Sequence, residues 1–275
     1  MQAVNTLQKT LKSGKAAIGA WQMLPGSNLS RILARTPNLS WICVDCEHGN
    51  LSDDSMHESV AAIAACGISP IVRVAEGQHW MIKRALDAGA HGIMVPLVRT
   101  VEDARNVVKF SKFPPTGTRG LGSPFSVEKF DHSMGLMQYY QQANDALLVV
   151  LQIETQEALD SVAEIAAVPG VDVLLIGPTD LGNNIGHPSL TGEYAPELKA
   201  AMAKINDAAH AAGKKSAIYC GSGEQARTFL DQGFDMVNTS NDVALLGGAI
   251  SQAVEAARGS YVHAGVQGVK KAAGY

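Results

Sequence analysis

The strongest constraint on the fold is a unit that recurs along the chain. An alanine-rich amphipathic segment leads to a glycine, and a short apolar run follows, as in AAIAACG before ISPIVRV, IKRALDAGA before HGIMVPLV, and VAEIAAVPG before VDVLLIG. Glycine ends helices readily because it adopts the left-handed backbone conformation, and an uninterrupted apolar run is typical of a strand buried on both faces. The repeat therefore indicates alternating helices and parallel strands.

The apolar runs predict eight strands. They lie near residues 16–22, 41–46, 69–74, 91–96, 147–153, 172–177, 215–220 and 235–239. Helical patterns separate them, and NDVALLGGAISQAVEAARG supplies a helix after the last strand. This order predicts an α/β protein, a single-domain (β/α)8 TIM barrel over residues 1–275 with 259–275 as a C-terminal tail. A doubly wound open sheet is the competing fold, but no GxGxxG follows the first strand.

Composition narrows the range of partners. The chain has 275 residues, of which 46% are hydrophobic, and its net charge is -4. No basic block marks a nucleic-acid surface, and no apolar run approaches the roughly 18 residues that span a bilayer. The N-terminal stretch also lacks an apolar signal core. We therefore expect a cytoplasmic protein that acts on a small soluble molecule, with neither nucleic acid nor a membrane as partner.

Polar residues at the carboxyl ends of the strands are the candidates for chemistry, because that end of such a barrel carries the active site. In chain order they are Trp21, Gln22, Asp45, Glu47, His48, Arg73, Gln152, Glu154, Asp180, Ser222 and Asn238 to Ser240. Within the predicted strand runs, lysine occurs only near the N-terminal starts, at Lys15, Lys214 and Lys215. A Schiff-base mechanism therefore has no nucleophile, and carbonyl activation is expected to come from a metal.

The stretch WICVDCEHG has two interpretations. Cys43 and Cys46 are spaced like thiol ligands, but on a strand they point to opposite faces, and no second cysteine pair completes a zinc site. The alternative is a base, in which Asp45 orients the His48 imidazole, with Glu47 in a supporting role. The other histidines have no comparable neighbour in the sequence, and we expect them to be surface or structural residues.

Three further side chains point to anion and cation binding. Glu154 and Asp180 follow neighbouring strands, and two converging carboxylates either share a proton or bind a cation. The alternative is that each only stabilises the start of a helix. Arg73 ends a buried strand, where its guanidinium requires either a bound anion or an acid on a neighbouring strand.

The motifs AWQM, VDCEHG, PIVRV, LDAGAHGIMVPLV, FPPTGTRGLG, LQIET and IGPTDLGNNIG together resemble the HpcH/HpaI class II pyruvate-dependent aldolases, in the family's order and over about residues 15–250. VDCEHGN and DLGNNIGHP are similar to the fungal branch that includes macrophomate synthase. The resemblance implies a metal-dependent carbon-carbon lyase that forms a pyruvate enolate by retro-aldol cleavage of 4-hydroxy-2-oxo acids, or the reverse addition. Decarboxylation of oxaloacetate to the same enolate is the alternative.

The same resemblance assigns roles to individual residues. It implies Glu154 and Asp180 as ligands of Mg2+, Mn2+ or Co2+; Arg73 at the keto or enolate oxygen; His48, supported by Asp45, as the base; and Trp21, Gln152, Gly177, Pro178 and Thr179 around a small 2-oxo acid. It also implies a homohexamer with exchanged terminal helices, in which Asp87 reaches the site of a neighbouring subunit.

Two other classes of protein are weighed against this interpretation. A phosphoenolpyruvate-mutase-like or isocitrate-lyase-like barrel is disfavoured because no glycine-rich loop leads into a helix that would hold phosphate. A non-catalytic barrel would show no metal-dependent turnover.

The polar stretch YCGSGEQAR after the seventh strand departs from the apolar stretch expected in the family's bacterial aldolases. The acceptor end of the pocket is therefore expected to differ from theirs.

Overall fold

A computed structural model describes residues 1–189 and 193–272, with the backbone alone for 259–272. In this described part of the chain, parallel strands pair in sequential order and β8 closes on β1. The strands are β1 (Ala17–Gln22), β2 (Trp41–Asp45), β3 (Ser69–Arg73), β4 (Gly92–Val95), β5 (Leu148–Gln152), β6 (Val173–Ile176), β7 (Lys215–Ile218) and β8 (Met236–Asn241). The predicted (β/α)8 barrel is confirmed.

Helices surround the barrel and connect its strands. They are α1 (Thr6–Lys12), α2 (Ser27–Ala34), α3 (Asp53–Ala64), α4 (His79–Asp87), α5 (Val101–Ser111), α6 (Leu136–Ala146), α7 (Gln156–Asp160), α8 (Val162–Ala166), α9 (Pro178–Asn184), α10 (Pro196–Ala211), α11 (Gly223–Asp231) and α12 (Asp242–Ala272), with a 3-10 turn at Val127–Lys129. No helix within the described residues is long and apolar enough to cross a membrane.

Local sequence explains where helices begin and end. Thr100 and Asp103 form a capping box at the start of α5, in which each side chain accepts a hydrogen bond from the other residue's main-chain N–H. After α4, Gly89 turns the chain toward β4 with a φ of 96°, a conformation that glycine adopts without a steric penalty. These signals set the helix-glycine-strand repeat that the sequence displays.

The barrel interior is filled with side chains. Trp41, Ile71 and Met94 are almost fully buried there, and α1 adds Leu7 and Leu11 to the same cluster. Because α1 precedes β1, its leucines close the amino end of the barrel. The interior is thus a packed core, and any cavity that reaches substrate lies at the carboxyl end.

Buried polar groups at the amino end are matched to partners. Asn5 donates from Nδ2 to the carbonyl of His91 at 2.9 Å, and Ser69 Oγ donates to Asn5 Oδ1 at 2.9 Å. Asp235 accepts from Lys215 Nζ at 2.8 Å and lies 2.8 Å from His210 Nε2. Asp235 is 25 residues from His210 in the sequence, and the turn before β8 brings the two side chains together.

The last helix, α12, leaves much of its apolar surface uncovered. Five large apolar side chains along its first half are exposed, with fractions from 45% at Val254 to 63% at Ile250; the others are Val243, Leu245 and Leu246. The predicted tail from residue 259 continues this helix to Ala272, and residues 273–275 lie outside the described residues.

Candidate functional site

A cavity of about 340 Å³ opens at the carboxyl end of the barrel. Most of the side chains predicted from the sequence line it, namely Trp21, Asp45, His48, Arg73, Gln152, Gly177, Pro178, Thr179 and Asp180. The structure adds Met23, Leu175, Tyr219 and Asn241, which the sequence argument missed. Tyr219 directly follows β7 and Asn241 is the last residue of β8, so the strand-end rule could have included them, whereas Met23 and Leu175 carry no polar signal.

Asp45 and Arg73 form the central ion pair of the cavity. The two residues are direct partners in the β2–β3 register. Arg73 donates from Nε to Asp45 Oδ1 at 2.9 Å and from Nη2 to Oδ2 at 2.5 Å, and its Nη1 lies 2.8 Å from Glu47 Oε2. Burial acts to raise the pKa of Asp45, but the hydrogen bonds and charge of Arg73 outweigh it and hold that pKa below its ordinary value.

Trp21 connects this ion pair to the far wall. Its indole Nε1–H donates to Asp45 Oδ2 at 3.0 Å, and the Arg73 guanidinium lies over its ring at 4.9 Å. The Tyr219 ring meets Trp21 edge-on at 5.2 Å, and Asn241 Nδ2 donates to the Tyr219 hydroxyl at 2.8 Å. One continuous set of contacts therefore runs across the mouth from β3 to the end of β8.

The His48 imidazole has a different carboxylate neighbour from the one predicted. Asp45 Oδ1 accepts the main-chain N–H of Glu47 at 3.0 Å and of His48 at 3.2 Å, while the imidazole Nε2 lies 3.8 Å from Glu47 Oε2. The expectation that Asp45 orients the imidazole was wrong, because Arg73 and Trp21 already occupy its carboxylate. The His48 side chain lines the cavity and is 58% exposed.

Glu154 is a buried carboxylate with two neutral donors. Leu97 N–H donates to Oε1 at 2.9 Å and Gln152 Nε2 donates to Oε2 at 2.9 Å. The absence of a side chain at Gly177 makes room, since a Cβ there would overlap Oε2. Burial raises the pKa of Glu154 to about 7, with the negative charges of Asp180 and Glu47 adding to the effect. No lysine or arginine of the described chain pairs with this carboxylate.

The surplus of negative charge at this point suits a cation. Burial also raises the pKa of Glu47 to about 7, although Arg73 opposes the shift. Within the residues described, no group of three or more His, Cys, Asp or Glu side chains forms a complete metal cluster. Glu154 and Asp180 are the pair that could hold a hard divalent ion, with substrate and water oxygens as its other ligands.

Cys43 lies in β2 and Cys46 directly follows it, and neither is suited to such a site. Cys43 is fully buried in the barrel interior, and Cys46 is partly buried. Burial, with the charge of Asp45 adding to it, raises the pKa of the Cys46 thiol to about 12. Both thiols therefore stay protonated at neutral pH, unlike the thiolates that bind zinc.

Asp87 lies at the other end of the molecule. It is the last residue of α4, which runs back toward the start of β4, so it is at the amino end of its own barrel. Lys83 Nζ lies 2.5 Å from Oδ2, and Arg119 Nη2 lies 2.8 Å from Oδ1. Its expected contribution to a neighbouring subunit's site stays a prediction.

Comparisons with known proteins agree with this geometry. A family model described as HpcH/HpaI aldolase/citrate lyase matches residues 26–249. A hydroxypyruvate/pyruvate aldolase of Rhizorhabdus wittichii is 33% identical over 93% of this chain and 99% of its own length. An HpcH/HpaI aldolase/citrate lyase family protein of Burkholderia cenocepacia superimposes with a TM-score of 0.83 at 32% identity, covering 92% of this chain and 99% of that one. Macrophomate synthase superimposes with a TM-score of 0.77 at 25% identity, covering 94% and 90%.

Proposed function

The chain belongs to the HpcH/HpaI aldolase/citrate lyase family and is a carbon-carbon lyase of the aldolase type, and we propose that it cleaves 4-hydroxy-2-oxo acids to pyruvate and an aldehyde with a divalent metal ion. One observation carries the metal dependence. Glu154 is a buried carboxylate with no cationic partner in the described chain; burial raises its pKa to about 7, and the negative charges of Asp180 and Glu47 add to that shift. A cation at this point relieves that repulsion.

Glu154 and Asp180 would hold the ion, and Gln152 and Leu97 keep the Glu154 carboxylate in place. Bound Mg2+, Mn2+ or Co2+ supplies a Lewis acid that polarises the substrate's keto group. Carboxylate oxygens are hard ligands, which suits these ions better than thiophilic ones. The protein's own contribution is a buried carboxylate that two hydrogen bonds hold in place.

The 2-oxo acid end of the substrate lies between Arg73, Gln152 and the turn that begins α9. Arg73 Nη1 donates to Gln152 Oε1 at 3.5 Å, which holds the two side chains together, and a substrate oxygen between them would accept from the N–H groups of Arg73 and of Gln152 Nε2 that these contacts leave open. Because Gly177 has no side chain, the main chain that leads into Pro178 and Thr179 can lie close to the Glu154 carboxylate. Arg73 is already balanced by two acids, which holds its planar donors in a fixed orientation.

His48 is the base of the reaction. It takes the proton of the C4 hydroxyl as the C3–C4 bond breaks, and the bonding electrons pass into the enolate of pyruvate while the aldehyde leaves. A proton then reaches C3 and gives pyruvate. The exposed imidazole returns its proton to water or to the enolate, and Glu47 at 3.8 Å steadies the imidazolium between the two steps.

The proposal extends to a cytoplasmic homohexamer with exchanged terminal helices. The uncovered apolar residues of α12, such as Leu245 and Ile250, support it, because a contiguous row of exposed large apolar side chains is typical of a surface that contacts another chain. In such an assembly Asp87 would reach a neighbouring subunit's site. Light scattering on the full chain tests the assembly, and a monomer at micromolar concentration would contradict it.

Proton exchange on pyruvate tests the chemistry directly. The chelator-stripped protein is incubated with pyruvate in D2O, with and without Mg2+, Mn2+ or Co2+, and the methyl signal is followed by NMR. Metal-dependent exchange that Glu154→Ala abolishes, and that Glu157→Ala on the exposed start of α7 retains, supports the proposal. Exchange that persists in the stripped protein would contradict the metal assignment.

Decarboxylation of oxaloacetate is the second candidate, since it leads to the same enolate, and the structural similarity to macrophomate synthase favours its inclusion. Initial rates with a 4-hydroxy-2-oxo acid and with oxaloacetate, measured on one enzyme preparation, rank the two activities. Aldol cleavage is expected to have the higher kcat/KM. A higher value for oxaloacetate would reverse the assignment of the main reaction.

A further inference from the structure

Two non-glycine residues have a positive φ in the described part of the chain, Asn38 at 68° and Leu97 at 51°. Asn38 lies in the exposed turn between α2 and β2, and asparagine tolerates this conformation because its short polar side chain can bond locally. Leucine has no such compensation. Its left-handed backbone is a strained conformation that the surrounding structure maintains.

Burial of the Leu97 side chain does not account for this conformation. The side chain is 47% exposed, while its neighbours Pro96 and Val98 are buried. The two buried neighbours anchor the chain on either side and leave residue 97 to absorb the turn. The left-handed conformation instead directs the main-chain N–H of Leu97 toward Glu154, where it donates to Oε1 at 2.9 Å.

The Glu154 carboxylate needs such an anchor. The terminal torsion of a glutamate is broad, so rotamer preference alone does not orient its oxygens. Leu97 holds Oε1, Gln152 holds Oε2, and the bare backbone of Gly177 limits movement on one side. A carboxylate has about four acceptor positions, so two remain open toward a ligand after these hydrogen bonds form.

We propose that Leu97 is a positioning residue, whose left-handed backbone holds Glu154 in the orientation that binds the divalent ion together with Asp180. The inference rests on the proposed metal-dependent function. Its physical content is preorganisation: strain at residue 97 is maintained in the folded protein so that the carboxylate does not reorient when the cation arrives. Only the main-chain N–H and its direction matter, and the leucine side chain is dispensable.

Substitutions at both positive-φ residues test this. Leu97→Val introduces a β-branched side chain that resists the left-handed region, whereas Leu97→Gly adopts it freely and keeps the N–H. Asn38→Val is the control, because it also places a β-branched side chain at a left-handed position, but far from the cavity. Dissociation constants for Mn2+ are measured calorimetrically on the full stripped chain, with thermal unfolding measured in parallel.

Leu97→Val is expected to weaken Mn2+ binding about tenfold, the worth of one hydrogen bond to a charged group. Leu97→Gly is expected to bind within about twofold of the native chain, and Asn38→Val likewise, although both valine variants unfold at lower temperature. Leu97→Ala is expected to bind Mn2+ like the native chain, because alanine lacks the β-branch and the leucine side chain is dispensable; Leu97→Thr, which is also β-branched, replaces Leu97→Val should that variant not fold.

Two results would overturn the inference while the native chain still binds Mn2+. One is a Leu97→Val constant no weaker than that of Asn38→Val. The other is a Leu97→Gly constant as weak as that of Leu97→Val, which would assign the effect to the side chain. A native chain that binds no Mn2+ would instead overturn the metal assignment itself, and the inference with it.

Discussion

Two carboxylates at opposite ends of the barrel show how differently this chain treats buried charge. Asp235, beside the start of β8, is surrounded by Lys215, His210 and the main-chain N–H of Ser216. Burial acts to raise its pKa, but these donors outweigh burial and hold it below the ordinary value. Glu154, past the end of β5, has only neutral donors, and burial raises its pKa to about 7.

The difference separates stability from function within one fold. At the amino end the charge of Asp235 has its counter-charges in the protein. At the carboxyl end Asp45 and Arg73 neutralise each other, but Glu154 and Asp180 remain as a surplus that a ligand can satisfy. Perturbed carboxylates in a cavity mark a functional site for this reason.

The largest expected effect comes from removing the unmatched charge. Glu154→Gln should lower kcat/KM for aldol cleavage on the order of 1,000-fold, because the metal loses an anionic ligand, while the protein stays folded. Steady-state kinetics at saturating Mn2+ measure the change. Glu157→Gln, on an exposed residue three positions later, should leave the kinetics unaltered; equal losses in both variants would remove the distinction.

Breaking the matched pair at the same end should cost stability instead. Asp45→Asn leaves Arg73 buried with only Glu47 as its acid, and we expect a loss of about 3 kcal/mol in the free energy of unfolding. Urea denaturation measures it. The control is Asp53→Asn, which removes the exposed ion pair with Arg84 and should cost no more than about 0.5 kcal/mol.

The unmatched negative charge of Glu154 should also make the stability of the protein depend on pH. The Glu154 carboxyl has a pKa of about 7 in the folded protein and about 4.5 when unfolded. Between these values the unfolded chain releases the proton first, so metal-free protein should lose up to about 3 kcal/mol as pH rises from 4.5 to 7. Denaturant midpoints across this range should fall in the native chain and fall less in Glu154→Gln. Parallel curves for the two proteins would contradict the shift.

The smallest effect is expected at the amino end. Asp235→Asn removes the partner of Lys215 and His210, which are both partly exposed, so the loss should be about 1 kcal/mol. Because the pKa of Asp235 is depressed, its contribution is present at neutral pH and disappears as pH falls through the acid range. Aldol kinetics should match the native chain, and a changed kcat would mean that the two ends are coupled.

Much of this arrangement could be predicted from local pattern. The repeat of helix, glycine and apolar run specified eight parallel strands, and the strand-end rule then selected Asp45, Arg73, Gln152 and Glu154. Period-2 alternation also placed Cys43 and Cys46 on opposite faces. These inferences depend only on spacing along the chain, which is why they survive without knowledge of the packing.

Partner choice could not be predicted in the same way. Asp45 pairs with Arg73 because the two lie directly opposite in the β2–β3 register, and that pairing leaves the His48 imidazole to Glu47. His210 meets Asp235 across 25 residues. The sequence VPLVRT likewise does not predict that Leu97 has a left-handed backbone whose N–H donates to Glu154.

The sequence by itself thus determined the barrel, the end that carries chemistry and most of the side chains at that end, because hydrophobic period and strand count are local properties. Tertiary structure decided which of those charges cancel and which remain. The cancellation depends on inter-strand register, on burial and on single main-chain N–H directions, and each of these is set only when distant segments pack together.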